Sequence, residues 1–231
     1  VEPRPAVEPR PVVEPRRNSA SARWLSPVET PPPRRWLSLS KPPAPVLGPR
    51  ENLEMAATPI SQRPAMSDYG VPADPAGTLP FEWARERLVA NRNYWVVTVD
   101  PAARPHATPV WGLWDTDDTF WFSCAPSAFK ARNLRANPYV AITTDSTVEF
   151  VSVEGVATEL SAPAEVARAW ALKYDDGTGD GGEGDVAEME QFFAANAAFQ
   201  VRPTKAIGMI ERPDEFAEKA TRWVWPADSA D

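Results

Sequence analysis

Residues 104–144 decide the fold, and they read RPHATPVWGLWDTDDTFWFSCAPSAFKARNLRANPYVAITT. Two runs rich in β-branched and aromatic residues flank a short polar turn at the start, which is the pattern of an antiparallel hairpin. The spacing then becomes helical between Ser127, which can cap a helix, and Asn137-Pro138, which stops one. The last run, YVAITT, returns to strand. This order predicts strand, strand, helix, strand.

The flanking sequence continues the same alternation of strands and helices. A short amphipathic helix is expected from Phe81, with Ala84 and Leu88 on its buried face, and Phe129 and Leu134 should face inward from the helix of the central stretch. Four further runs are typical of strands and two of helices. In chain order, these are YWVVTVD, VEFVSVEGVATEL, PAEVARAWALKY, DVAEMEQFFAANA, FQVRPTKAIGMIE and TRWVW, with a bulge or a bend expected at Gly155.

The predicted fold class is mainly β with helices. Helices are inserted between strands rather than following each of them, so a doubly wound sheet is excluded. Several of the strands are long enough to bend. A closed or partly closed antiparallel barrel is the simplest arrangement of such strands.

Proline and charge divide the chain into two parts. Residues 1–65 hold 15 of its 27 prolines and carry 10 Lys/Arg against 6 Asp/Glu, whereas residues 66–231 carry 14 against 26. Dense proline prevents helix and sheet, so we predict a disordered leader over 1–65 and a folded domain over 66–231. Translation of the active protein is expected to start at or near Met66. The alternatives for the leader are a PxxP-like ligand or a charged tether.

The composition excludes several classes of function. An acidic domain repels phosphate backbones, so we expect no nucleic acid partner. The chain has one cysteine and one histidine, too few for a tetrahedral zinc site, and no apolar run is long enough for a membrane helix. With no internal disulfide possible, a cytoplasmic protein is expected, with no metal and no membrane partner. The same scarcity makes a Ser-His-Asp or Cys-His hydrolase improbable.

Four segments resemble the pyridoxamine 5′-phosphate oxidase-like split β-barrel superfamily, and most closely its deazaflavin-dependent branch. They are RPHATPVWGLW at 104–114, FKARNLRANPYVAITT at 129–144, VEGVATEL at 153–160 and ATRWVW at 220–225. The resemblance implies a split barrel that forms a homodimer and holds a flavin-type cofactor in a groove between the subunits. The implied function is hydride transfer between bound coenzyme F420 and a small organic substrate.

The resemblance also implies where the cofactor phosphate binds. Lys130 and Arg132 open a helix directly after a strand, where free amides and the positive end of the helix favour an anion. Ser127 and Asn133 would be secondary contacts. The oxidase pattern has Ser or Thr two residues before the lysine, but this position is Ala128. That departure favours coenzyme F420 over FMN.

A second group of residues is expected to contact the cofactor ring. The resemblance implies that the strand containing His106, Thr108, Pro109, Val110 and Trp111 runs along the ring. Pro109 cannot donate a ladder hydrogen bond, so it marks an edge or an irregular strand, where neighbouring amides are free. The ATRW segment adds two further cofactor-binding candidates, near the cofactor or the dimer seam. They are Arg222 and Trp223, with Arg202 as a possible companion.

Catalytic groups remain unassigned in the sequence, and rival functions stay open. Tyr94 and Tyr174 are candidate proton donors without support. An FMN-dependent pyridoxamine phosphate oxidase-like enzyme is the first alternative, and a non-catalytic flavin- or haem-binding barrel with His106 as the iron ligand is the second. The third is a proline-rich interaction protein whose barrel is degenerate.

Overall fold

The computed structural model describes residues 58–175 and 183–226, and all following structural statements concern that part of the chain. Its elements agree closely with the predicted order. They are β1 Ile60–Gln62, α1 Phe81–Ala90, β2 Asn93–Val99, β3 Pro105–Trp114, β4 Phe120–Cys124, α2 Phe129–Ala136, β5 Tyr139–Thr143, β6 Glu149–Glu159, α3 Ala164–Tyr174, α4 Glu183–Ala195, β7 Ala197–Ile210, α5 Phe216–Lys219 and β8 Thr221–Val224.

Six antiparallel strands close into a barrel, which confirms the predicted fold class. The sheet runs β1-β8-β7-β4-β3-β2-β5-β6, and an additional pairing of β6 with β7 closes the ring. β7 makes this closure possible because it is long enough to pair with β6 along most of its length while its other edge pairs with β4 and then with β8. β1 and β8 extend the sheet beyond the ring.

Strict alternation along the strands fills the barrel with apolar side chains. Tyr94 and Val96 of β2 are fully buried, and the intervening Trp95 is 44% exposed. Phe120 lies against Gly112 so closely that a Cβ at this glycine would overlap the phenyl ring. The barrel interior therefore requires glycine at position 112.

The predicted irregularity at Gly155 is confirmed. The register between β6 and β7 shifts between Glu154 and Gly155, and a Cβ on Gly155 would collide with the carbonyl oxygen of Arg202. The pairing passes from Glu154 with Lys205 to Gly155 with Pro203, so the extra residue of the bulge is Thr204 on β7, opposite Gly155.

A second apolar cluster lies outside the barrel, where α3 and α4 cover it. Trp121 of β4 contacts this cluster, which includes Trp170 and Phe193, all of them buried. Tyr174 at the end of α3 belongs to the same cluster. The helices thus cover the outer face of the barrel near β3 and β4.

Residues 60–63, which precede the predicted boundary after residue 65, take part in the described sheet and its contacts. Ile60–Gln62 form β1 and pair with β8, and Arg63 donates hydrogen bonds to the carbonyls of Asp74, Glu218 and Ala220 at 2.9, 2.6 and 3.1 Å. A short polar strand has too weak a pattern to be recognised when its partner lies near the other end of the chain. The remaining leader, 1–57, and the acidic glycine-rich stretch 176–182 lie outside the described residues.

Helix α2 differs from its prediction at its N-terminus. Its N-cap is Ala128 and no side chain caps it, so Ser127 does not serve as the cap. Phe129 is 63% exposed rather than buried, whereas Leu134 is buried as expected. Asn137 ends the helix as predicted.

No helix in residues 58–175 and 183–226 is long and apolar enough to cross a membrane.

Candidate functional site

The free edge of β3 and the start of α2 lie at the same end of the barrel. β4 pairs with β3 only at Gly112, Leu113 and Trp114, whereas β2 follows β3 over its whole length from Pro105 to Trp111. The chain leaves β4 at Cys124 and begins α2 at Phe129. Within the described part of the chain, residues 105–111 therefore have one edge without a strand partner, which confirms the edge position predicted from Pro109.

Two of the three cations of α2 carry no ion pair with any described residue. Arg135 is bound by Glu159 at 2.6 and 2.7 Å and donates to the carbonyl of Pro126, so it serves the structure. Lys130 and Arg132 have no such carboxylate partner in residues 58–175 and 183–226. A helix start without a side-chain cap adds free amides to these two charges. The combination attracts an anion.

Alternation along β3 divides the predicted ring contacts between two faces. Val110 is 8% exposed and belongs to the core, whereas Pro109 and Trp111 point outward. Thr108 points to the same side as Val110, and its Oγ1 is buried without a hydrogen-bond partner in the described residues. A buried hydroxyl without a partner costs free energy, so a ligand acceptor at this position would be favoured.

A stack of side chains joins β3 to the start of α2. The ring of His106 lies 5.8 Å from that of Phe129 at an interplanar angle of 26°, and the guanidinium of Arg132 lies 4.4 Å from the Phe129 centroid. His106 Nε2 is 3.4 Å from Asp100 Oδ2. The backbone amide and guanidinium of Arg104 also donate to this carboxylate, and together these contacts hold the pKa of Asp100 well below its usual range.

On the outer face, Trp111 packs against the end of α3. It is 48% exposed and stacks on Tyr174 with a centroid distance of 4.8 Å and an angle of 9°. The Tyr174 hydroxyl accepts a hydrogen bond from the Gly112 amide at 2.7 Å and donates to the carbonyl of Arg92 at 2.5 Å. The hydroxyl thus bridges Arg92 and Gly112, the residues next to the last β2–β3 pair, Asn93 and Trp111. This bridge, together with the ring stack, fixes the orientation of Trp111.

Lys173, which lies next to Tyr174 in α3, was not predicted from the sequence and forms hydrogen bonds with β2 and β3. Its Nζ donates to Tyr94 Oη at 2.6 Å and to the Gly112 carbonyl at 2.9 Å, and no carboxylate among the described residues pairs with it. Burial, with a smaller contribution from Arg92, lowers the pKa of Lys173 to about 7. The only signal in the sequence is a lysine within the apolar run WALKY, which is also the pattern of an exposed helical lysine.

The two tyrosines proposed as proton donors are committed to the structure. Tyr94 is completely buried, with an accessibility of 0%, and its hydroxyl donates a hydrogen bond to the carbonyl of Leu88. Burial is the largest cause raising the pKa of both Tyr94 and Tyr174. Neither hydroxyl is placed to reach a ligand in the groove beside β3.

Of the remaining predicted residues, Ser127 lies beside the start of α2, Asn133 is buried within this helix, and Arg222 and Trp223 lie elsewhere, on β8. Asn133 is 3% exposed and its Nδ2 donates to Thr98 Oγ1 at 3.0 Å, so it fastens α2 to the barrel. Trp223 is fully buried, and Arg222 donates to Gln62 at 2.7 Å. No hydrogen bond, ion pair or ring contact in the described residues joins Arg222 or Trp223 to α2. Ser127 is exposed beside the helix start.

Chemically, this end of the barrel combines a helix start whose two cations favour an anion with a strand edge whose free backbone groups favour a planar polar ring. These are the two requirements of a split barrel that binds a flavin-type cofactor. A family model described as pyridoxamine 5′-phosphate oxidase matches residues 82–202, more than half of the chain. The chain belongs to this family.

Several solved structures are similar to this chain at low sequence identity. A conserved hypothetical protein of Mycobacterium tuberculosis is 20% identical, with a TM-score of 0.47, over 55% of this chain and 82% of that one. An F420 reductase is 22% identical, with a TM-score of 0.41, over 53% and 94%. A pyridoxamine 5′-phosphate oxidase-related, FMN-binding protein of Nostoc punctiforme PCC 73102 is 16% identical, with a TM-score of 0.42, over 65% and 88%. No curated protein matches the chain.

Proposed function

We propose that this protein is an oxidoreductase that transfers a hydride between bound coenzyme F420 and a small organic substrate. The observation that carries the proposal is the pair of cations, Lys130 and Arg132, left without carboxylate partners in the described residues at the uncapped start of α2. When bound, the reduced deazaflavin supplies the hydride chemistry itself. The protein must anchor the cofactor, orient its ring and leave one face open.

Anchoring falls to α2. The cofactor tail is anionic, and two cations together with the free amides of the first helical turn form a binding site for it. Ala128, the N-cap, brings no hydroxyl to this site, and its methyl group packs against the barrel core. The absence of that hydroxyl favours the deazaflavin over FMN, because the FMN-binding pattern uses it.

Orientation of the ring falls to the free edge of β3. Backbone amides and carbonyls in 105–111 are available to ring carbonyls and ring nitrogens on the side that β4 leaves uncovered. The buried Thr108 hydroxyl offers a further bond. Since Tyr94 and Tyr174 are committed elsewhere, a water or a backbone donor supplies any proton that the reduced substrate needs.

The functional unit that we propose is a cytoplasmic homodimer with the cofactor between its subunits. β2, β3 and β5 present an apolar outer face that no described helix covers in full. Trp95 and Pro109 are opposite each other in the β2–β3 pairing, and Trp95 is also opposite Thr143 of β5. Tyr139 on the same face of β5 is 69% exposed. A second copy would bury this face and wall the groove.

Titration of the full chain with cofactors tests the proposal. Coenzyme F420, FMN and haem are added separately while fluorescence or absorbance is recorded, and we expect F420 to bind most tightly. Lys130→Gln should weaken F420 binding by roughly tenfold or more, because a charged hydrogen bond contributes about 1.5–3 kcal/mol. Lys205→Gln is the matched control, since Lys205 is paired with Glu154 on the β6–β7 ladder.

Oxidation of reduced F420 by test enones then separates an enzyme from a carrier. Consumption of reduced cofactor that depends on the protein and on the enone supports the enzyme. Tight binding of FMN but not F420 would show that the cofactor is the flavin rather than the deazaflavin. Haem binding that is weakened in His106→Ala would show that the protein is a haem-binding barrel rather than this enzyme. If the parent and Lys130→Gln bind F420 with equal affinity, the anionic tail of the cofactor does not bind at the start of α2.

A further inference from the structure

We infer that His106 is a positioning residue that holds the guanidinium of Arg132 at the anion site through the intervening ring of Phe129. The inference rests on the proposed function in one respect, namely that an anion binds at the start of α2. It assigns to the lone histidine of the chain a role other than catalysis or iron ligation.

The Phe129 ring contacts both of these residues. It is 63% exposed, yet the His106 ring stacks with it at 5.8 Å and the Arg132 guanidinium lies 4.4 Å from its centroid. A solvent-exposed phenyl ring on a helix surface ordinarily samples several rotamers. Contacts to both an imidazole and a guanidinium restrict that freedom, so the position of one partner depends on the other.

His106 is itself fixed from the opposite side. Its Nε2 lies 3.4 Å from Asp100 Oδ2, and Asp100 is anchored by the amides of Ala102 and Arg104 in the β2–β3 turn at 2.9 and 3.0 Å. The chain of contacts therefore begins in a rigid turn and ends at a charge on α2. Arg135, the paired cation of this helix, is instead held by Glu159.

This arrangement restrains the guanidinium of Arg132 without neutralising its charge by an ion pair. A carboxylate could also fix the guanidinium, but it would neutralise the cation that an incoming anion needs. An aromatic ring restrains the guanidinium and leaves its N–H groups free to donate. The histidine consequently acts on the ligand through Arg132 rather than by contact.

The test compares variants of the full chain that keep or remove the ring at each position. Binding of inorganic pyrophosphate is measured by calorimetry, and binding of F420 and FMN by fluorescence. His106→Gln and Phe129→Leu should each weaken binding about threefold to tenfold, the effect of losing one aromatic contact. His106→Phe and Phe129→Tyr keep a ring and should remain within about twofold of the parent. Circular dichroism of each variant reports whether the barrel is intact.

A double-mutant cycle with Arg132→Gln decides the matter. His106→Gln should have no further effect once Arg132 is removed, because its influence passes through that residue. The same loss in both backgrounds, or a loss in His106→Phe as large as in His106→Gln, would overturn the inference.

The pyrophosphate arm separates this inference from the proposed function. Coupling of His106 to Arg132 in pyrophosphate binding, with neither cofactor bound, would support the positioning role and refute the redox proposal. Cofactor binding without the coupling would do the reverse. A parent chain that binds neither pyrophosphate nor a cofactor would overturn both.

Discussion

At the scale of single residues, the barrel tolerates no side chain at position 112. The Phe120 ring occupies the space that a Cβ would take, and both the amide and the carbonyl of Gly112 are bonded by the end of α3. The backbone cannot withdraw from the ring without breaking these bonds. The packing of Phe120 inside the barrel and the position of the neighbouring Trp111 therefore both depend on Gly112.

Gly112→Ala should therefore destabilise the protein by about 1–3 kcal/mol, the usual cost of overpacking a core. Chemical denaturation of the parent and the variant measures the difference. Phe120→Leu in the Gly112→Ala background should recover part of the loss by making room for the methyl group. If the double variant is as unstable as the sum of the two single variants, the collision is not the cause.

Lys173 gives the stability a pH dependence. The pKa of Lys173 is about 7 in the folded protein, whereas an unperturbed lysine, as in the unfolded chain, has a pKa of 10.5. The unfolded chain therefore binds this proton more tightly. Protonation then opposes folding below pH 7, and this penalty fades as the pH rises from about 7 to about 10.5. This group alone makes the free energy of unfolding increase with pH across that window.

Lys173→Met should remove most of that increase between pH 7 and pH 9. The free energy of unfolding of parent and variant is measured by urea denaturation at several pH values in this range. Lys205→Met, which removes a surface lysine paired with Glu154, is the control and should keep the slope of the parent. A slope that survives in Lys173→Met would show that other groups produce it.

At the scale of elements, the described chain begins earlier than its sequence pattern indicates. β1 pairs with β8, and Arg63 bonds carbonyls from two different loops, including that of Ala76. These contacts join the two ends of the described chain. They make residues 60–63 part of the folded unit.

A chain shortened to begin at residue 66 should accordingly be less stable than one that begins at residue 58. We expect a melting temperature lower by roughly 5 °C or more, because a strand ladder and four charged hydrogen bonds are lost. Arg63→Ala in the full chain should reproduce part of this change. Equal melting temperatures for the two shortened chains would show that β1 adds nothing to stability.

The elements with long periodic patterns were predicted correctly from the sequence, and the site was predicted only in part. α1, α2 and the strands of the barrel follow from the spacing of apolar residues, and the bulge at Gly155 follows from a glycine within a long strand. The exposure of Phe129 could not be predicted, because it depends on His106, which is distant in sequence. Burial of Lys173 likewise depends on how α3 packs against the barrel, which helical spacing alone leaves undetermined.

At the scale of the whole molecule, the apolar face of β2, β3 and β5 is the surface that we assign to a second copy. Trp95 and Tyr139 are 44% and 69% exposed on this face. Large exposed aromatic side chains on one face of a sheet are typical of the centre of an interface rather than of a solvated surface. The proposed groove for the cofactor would then be completed by the partner.

Trp95→Glu should convert the proposed dimer into a monomer and weaken cofactor binding. A charge at the centre of an apolar interface is left without a partner on association, which costs several kcal/mol. Sedimentation velocity measures the mass of the particle, and fluorescence titration measures the affinity. Phe192→Glu, at a residue of α4 that is 60% exposed, is the control and should leave both unchanged. A parent chain that sediments as a monomer would refute the assembly.

The place of β7 in the ring has a consequence for biosynthesis. β7 is the strand that closes the barrel, yet it starts only at residue 197, after all of its ring neighbours. Until β7 has emerged from the ribosome, the earlier strands can form only an open sheet with apolar surface exposed. A nascent chain that stalls before this strand emerges should therefore be bound by chaperones or degraded.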